Sequence, residues 1–238
     1  MDIYKAPAIE EIITGNPYVG RGIITGASPS GKAVTAYFIM GRSANSRNRI
    51  FAVKGDEVFT EPFDASKVED PSLIIYAAIR SLNNTLVVTN GNQTDTIIDG
   101  LKEGKSFSEA LKSRCFEPDG PNWTPRISSA VTFEKGSFSY EMSILKSIDA
   151  AGSDCARFTF SYPSLKGLGH FIHTYVTDGN PIPTFQGEPE RLSIPEDIDA
   201  FTNSIWNGLD ENNKISLYVR YTDPATGKYT CRLINKNK

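Results

Sequence analysis

Short apolar blocks, separated by Gly, Pro, Asn and Asp, recur along almost the whole chain, a pattern that predicts strands joined by turns. YVGRGIITG, the turn ASPSGK and AVTAYFIMGRS make a hairpin over residues 18–43. RIFAVKGDEVFTEPF gives two more strands around a turn at Lys54–Asp56. TLVVTNGNQTD is a strand ending at an Asn-Gly corner, and ISSAVTF pairs with FSYEMSIL across Lys135–Gly136. ARFTFSYPS and GHFIHTYVT alternate as strands, and KISLYVRYTDPATGKYTCRLI closes the chain as a hairpin over Asp223–Gly227. Helical spacing is rarer. Ile97, Ile98 and Leu101, then Phe107, Ala110 and Leu111, predict two helical pieces over 94–114, broken near Gly104. Ser106 and Glu109 form a capping box for the second piece. Residues 195–209 fit a helix with Pro195 near its start and Gly208 near its end. PSLIIYAAIRSL, residues 71–82, fits a helix or a buried strand equally, because periodicity does not separate the two in so short an apolar run. The expected architecture is α+β: a leading extension over residues 1–17, with a helical turn at IEEII, and one domain over 18–238.

Composition narrows the partners. A formal net charge of −3 argues against nucleic acid as a bulk electrostatic partner, while leaving room for a local basic pocket. Cys115, Cys155 and Cys231 are odd in number and lack CxxC spacing, so neither a disulfide framework nor a zinc site is indicated. Two histidines add little: His170 and His173 fall at odd spacing on a strand, hence on opposite faces. The first residues lack a basic stretch followed by an apolar core, and no apolar run reaches the length of a membrane span. The expectation is a cytoplasmic protein with no membrane partner and no bound metal.

Three polar segments stand at predicted strand ends. GRSANSRNR, residues 41–49, places three arginines, two serines and two asparagines in nine residues. Guanidinium forks and hydroxyls suit phosphate oxygens, though a solvated basic turn has the same composition. TNGNQTD, residues 89–95, offers amides that match purine edges, yet Asn-Gly is also ordinary turn chemistry. EPDGPNWTPR sets Glu117 and Asp119 near Arg126 in a segment that can be neither helix nor strand. It is either a salt-bridged loop or a site held rigid by its prolines. Tyr76 reads first as a core tyrosine with a satisfied hydroxyl. No GxSxG, HExxH, GxGxxG or P-loop occurs.

Taken in order, these segments resemble the IMP cyclohydrolases of the archaeal type. The resemblance is carried by YVGR (Tyr18 to Arg21) and by AYxxxxRS with a following Asn-Arg pair (Tyr37, Arg42, Ser43, Asn48, Arg49). It continues with the tyrosine before Ile-Arg (Tyr76, Ile79, Arg80) and the corner Asn90–Gly91. Its most specific string is E-x-D…N-x-T-P-R-I (Glu117, Asp119, Asn122, Thr124, Pro125, Arg126, Ile127). The chain differs from the family pattern in its leading extension, in its longer second half and in Gln93, which stands where that pattern carries a histidine.

The resemblance implies a four-layer αββα sandwich like that of the N-terminal nucleophile hydrolases, without self-processing. It implies closure of 5-formamido-imidazole-4-carboxamide ribonucleotide to IMP and water, the last step of purine synthesis. Nothing is oxidised and no group is carried, so no cofactor is expected; the partner is a small purine nucleotide, and a homo-oligomer is left open. Arg21, Arg42, Ser43 and Arg49 are then expected at the phosphate or the developing oxyanion. Glu117 and Tyr76 are expected to move protons. Asn90, with Gly91 at its corner, and Asn122 would orient the base or carboxamide, and Arg126 would pair with Glu117 or Asp119. Two rivals stand beside this reading: an amidohydrolase of the same fold, and a purine-nucleotide-binding protein without turnover. The first needs a Cys, Ser or Thr at the start of the first core strand; the second would bind IMP and close no ring.

Overall fold

The computed structural model describes residues 4–68 and 75–237. In chain order the strands are β1 (Arg21–Ala27), β2 (Ala33–Met40), β3 (Arg49–Lys54), β4 (Glu57–Pro62), β5 (Tyr76–Leu82), β6 (Thr85–Thr89) and β7 (Arg126–Glu134). They continue with β8 (Ser137–Ser147), β9 (Cys155–Pro163), β10 (Leu168–His173), β11 (Glu190–Ser193), β12 (Lys214–Thr222) and β13 (Tyr229–Asn235). The helices are α1 (Ile9–Ile13), α2 (Ala44–Arg47), α3 (Gln93–Lys102), α4 (Phe107–Ala110) and α5 (Ile198–Gly208). Among the described residues the strands form two antiparallel sheets, a six-stranded one in the order β11-β10-β1-β2-β12-β13 and a seven-stranded one running β3 to β9 in sequence. The chain is α+β. No described helix is long and apolar enough to cross a membrane.

Both sheets are covered on both faces in their middle strands, which explains the unbroken apolar blocks of the sequence. In β1 and β2, Ile23, Tyr37 and Ile39 pack between the sheets against Val88, Ile127 and Val131 of the other sheet. Their neighbours Ile24, Phe38 and Met40 point the other way, onto Phe201 and Ile205 of α5 and Ile9 and Ile13 of α1. A third cluster joins Val87, Ala130 and Leu145 of the seven-stranded sheet to Ile97 and Ile98 of α3 and Phe107 of α4. The ambiguous run over 71–82 resolves as strand from Tyr76 onward, paired with β4 and β6; its residues 71–74 lie outside the described ones.

Strand direction places the chemistry. Arg21, Arg49, Tyr76 and Arg126 are each the first residue of a strand, of β1, β3, β5 and β7. Within the seven-stranded sheet β3, β5 and β7 run the same way, so their first residues share one rim. There the hydroxyl of Tyr37, near the end of β2, meets that of Tyr76 across the gap between the sheets at 2.8 Å.

Candidate active site

The rim collects charge in a shielded place. Arg49 and Arg126 are buried, Arg21 is half-buried, and the Nε atoms of Arg21 and Arg49 are shielded from solvent without a hydrogen-bond partner. Burial works against the charge on Arg21, but Tyr18, Glu117, Tyr175 and Tyr76 around it outweigh that and hold its pKa above the ordinary value. Arg49 is pulled down by burial and then by the like charge of Arg21. Glu117 is buried, and burial raises its carboxyl above the usual range, against the opposing pull of Arg21 and Arg126. Tyr37 is also raised, by burial and by Tyr76. Three guanidinium groups against the carboxyls of Glu117 and Asp119 leave a positive excess in a poorly solvated place. Such an excess is costly until an anion or a developing oxyanion enters it.

The loop over 117–126 is fixed at several points. Asp119 accepts from the Thr124 backbone N–H at 2.7 Å and from the Thr124 hydroxyl. With its proton so used, Thr124 Oγ1 accepts from the Tyr175 hydroxyl at 2.5 Å. The Glu117 N–H donates to the Thr124 carbonyl at 2.9 Å. Asn122 Oδ1 accepts from the Ile182 N–H at 3.1 Å, and the Trp123 indole donates to the Ala150 carbonyl at 3.0 Å. Trp123 adopts a positive φ of 43° and packs edge-on against Phe116. The polar and aromatic residues of this loop therefore hold its shape, and that shape carries Glu117 to the arginines.

The corner after β6 is equally spent on structure. Asn90 Nδ2 donates to the Pro125 carbonyl at 2.9 Å, and its Oδ1 accepts from the Ile127 N–H and from Gln93 Nε2, both at 2.9 Å. Asn90 thus ties β6 to the start of β7. Arg126 donates to Gln93 Oε1 at 2.9 Å and stands 3.9 Å from Glu117 Oε1. A Cβ on Gly91 would lie 2.5 Å from Arg126 Nη1, so only glycine leaves this space.

Of the sequence candidates, Arg21, Arg49, Tyr76, Glu117 and Arg126 converge, and Asn90 with Gly91 supports them. Arg42 and Ser43 lie further out. Arg42 stacks over the Tyr18 ring at 5.3 Å, pairs with Asp178 and donates to the Gly179 carbonyl at 2.8 Å. Ser43 caps α2, its hydroxyl accepting from the Ser46 N–H at 3.1 Å. Asn122 braces the loop from outside. Sequence reasoning gave no role to Tyr175 or Asp178, and it marked Gln93 and Thr124 only within the segments TNGNQTD and E-x-D…N-x-T-P-R-I. The pairs Arg126–Gln93, Thr124–Tyr175 and Arg42–Asp178 are 33, 51 and 136 residues apart along the chain, so no local pattern reveals the pairing. The described residues hold no cluster of three or more His, Cys, Asp or Glu suited to a metal ion.

The sequence model of the family described as IMP cyclohydrolase-like protein matches residues 18–228, a span that includes every residue of this cluster. The chain belongs to this family. Among curated relatives, the IMP cyclohydrolase of Methanopyrus kandleri is 36% identical over 115 residues, 47% of this chain and 57% of that protein. That of Methanothrix thermoacetophila is 37% identical over 120 residues, 48% of this chain and 58% of that protein. The IMP cyclohydrolase of Methanocaldococcus jannaschii is 33% identical over 116 residues, 47% and 55% of the two chains. The chain thus spans little more than half the length of the curated relatives it matches. Helix α1 lies outside the span matched by the IMP cyclohydrolase-like family.

Proposed function

We propose that this protein is an IMP cyclohydrolase, closing the pyrimidine ring of 5-formamido-imidazole-4-carboxamide ribonucleotide with loss of water. The observation that carries the reading is the shielded pair Arg21 and Arg49, each with an unpartnered Nε, beside the buried Glu117. In the reaction the carboxamide nitrogen attacks the formyl carbon, a C–N bond forms, and negative charge gathers on the formyl oxygen. Arg21 and Arg49 take that charge, which fixed donors in a poorly solvated site stabilise strongly. Glu117 then accepts a proton from the attacking nitrogen and returns it to the oxygen, giving a hydroxyl; a second N–H proton, lost as the C=N double bond forms, completes the water as the C–O bond breaks. Tyr76, coupled to Tyr37, is the second proton carrier. Arg42 and Ser43, at the outer rim, suit the phosphate, which stays wetter than the reacting groups. Holding formyl and carboxamide in a reactive conformer supplies much of the acceleration. No step changes oxidation state, so none calls for a cofactor.

The finer architecture belongs to the same reading: two sheets flanked by helices fit a four-layer αββα sandwich resembling the N-terminal nucleophile hydrolases. Against an amidohydrolase of that fold, β1 opens on Arg21 rather than on Cys, Ser or Thr. The deciding experiment incubates the purified protein with the formamido ribonucleotide, follows ring closure by absorbance and identifies the product. Turnover without added metal or cofactor is expected. Stabilisation by IMP with no ring closure would replace the enzyme with a nucleotide-binding module.

A further inference from the structure

Gln93 opens α3, is fully buried and spends both ends of its amide. Its Oε1 accepts from Arg126 Nη1 at 2.9 Å, while Nε2 donates to Asn90 Oδ1 at 2.9 Å and to the Ile127 carbonyl at 3.2 Å. A flipped amide would face donor to donor at Arg126, so these partners fix its orientation. The consequence falls on Arg126. The Glu117 carboxylate stands 3.9 Å from Arg126 Nη1, beyond hydrogen-bond distance. An arginine and a carboxylate free to adjust close to a bidentate pair at about 2.7–2.9 Å. Here they do not close, and the competing acceptor is the Gln93 amide. The space is prepared for it: a Cβ on Gly91 would lie 2.5 Å from Arg126 Nη1 and 2.7 Å from Gln93 Oε1.

We propose that Gln93 is a positioning residue, holding the Arg126 guanidinium at a stand-off from Glu117 so that the carboxylate keeps its oxygens free for the substrate. This rests on the ring-closure reading, in which Glu117 meets the reacting atoms. A closed pair would occupy the oxygens that must exchange the proton. A more distant cation would leave the carboxyl harder to ionise. The charged groups facing Glu117 are Arg21 from β1, Arg49 from β3, Arg126 from β7 and Asp119 in its own loop, with the phenols of Tyr18, Tyr76 and Tyr175 around Arg21. Gln93 sets the position of Arg126 within that set.

Two substitutions push the stand-off in opposite directions. Gln93→Leu removes the competing acceptor, so Arg126 closes onto Glu117. The acid limb of the rate profile then moves to lower pH, and kcat falls about 10–100-fold with KM little changed. Gln93→Glu draws Arg126 toward the new carboxylate and away from Glu117, moving the acid limb to higher pH. A loss of packing alone does not move a titration in opposite directions in two variants. The same titration is read without turnover by infrared spectroscopy of carbon-13-labelled glutamate, with Glu117→Gln identifying the band. Limbs and bands left at their wild-type positions, or displaced the same way in both variants, overturn the proposal. A wild-type protein that closes no ring defeats the functional reading, while the infrared titration still decides the role of Gln93. Should either variant not fold, Arg126→Met with Gln93 intact raises the Glu117 titration, and an unmoved band there overturns the proposal.

Discussion

Glu117, the proposed proton carrier, shows what one buried carboxyl costs the fold. Burial, the larger influence, lifts its carboxyl above the ordinary value of 4.5, with Arg21 and Arg126 opposing. Below that value the carboxyl is protonated in folded and unfolded chains alike, and no cost arises. Above it the unfolded chain ionises first, so stability falls with rising pH until the raised folded value is passed. At neutral pH the buried Glu117 is therefore a burden on the fold. Glu117→Gln keeps the shape and removes the titration. The expected outcome is a melting temperature equal to or above wild type at neutral pH, with turnover lower by about 10²–10⁴-fold. Melting curves and ring-closure rates on the same preparation test both halves. A variant with near wild-type turnover excludes Glu117 as the proton carrier and leaves Tyr76 in its place. The string E-x-D…N-x-T-P-R-I made Glu117 legible in the sequence. Tyr175 was not legible, because a buried tyrosine beyond a strand end looks like core until Thr124 is seen beside it.

At the scale of elements, the hairpin turns and most of the strands they join were readable, while the short α2 and β11 were not. Gly31, Gly55, Gly136 and Gly227 all take positive φ in the turns where the sequence placed hairpins. The run through Tyr76 could not be assigned because β5 is apolar on both faces in its first residues, which erases the two-residue period. Helices α3 and α4 were visible because each has one apolar face and a wet one. The leading segment is the element whose role was least visible: IEEII forms α1, and Ile9 and Ile13 are buried against α5 and the six-stranded sheet. The Ile13 side chain lies close against Gly208, at the end of α5, where an added Cβ would approach it to 2.9 Å. Ile13→Ala empties that contact, and large-to-small changes of this kind cost about 2–5 kcal/mol. Denaturant unfolding should show that loss while KM for the formamido substrate stays at the wild-type value, since Ile13 packs on α5 and the helix-covered face of the six-stranded sheet. Unchanged stability would make α1 an ornament on the fold.

For the whole molecule, the two-sheet core is not uniformly apolar, and its polar band gives stability a pH dependence separate from the active site. His170, Thr25, Thr35 and Arg220 sit opposite one another across β10, β1, β2 and β12. Thr25 reaches across to Ser129 of the other sheet at 2.9 Å, and His170 Nδ1 meets the Tyr140 hydroxyl at 2.6 Å. His170 also stacks on Tyr162 with ring centroids 3.6 Å apart. Such buried, satisfied pairs favour one register between the sheets over its neighbours. His170 itself is held toward the neutral form: burial first, then the nearby Arg191, lowers its pKa from 6.5 to about 4. Above 6.5 neither the folded nor the unfolded chain protonates this ring, and its contribution is constant. As pH falls below 6.5 the unfolded chain takes the proton first, so stability is lost progressively until pH passes about 4. Across that window the loss reaches up to about 3 kcal/mol. Glu117 acts with the opposite sign in the part of the window above its ordinary value, so the raw profile mixes the two. His170→Gln isolates the histidine term, because glutamine accepts from Tyr140 and carries no proton to gain. Urea unfolding of wild type and variant at a series of pH values should give curves that converge toward low pH, the variant losing less on acidification. Parallel curves would mean that His170 ionises as readily inside the fold as outside it, and that the band between the sheets is open to water.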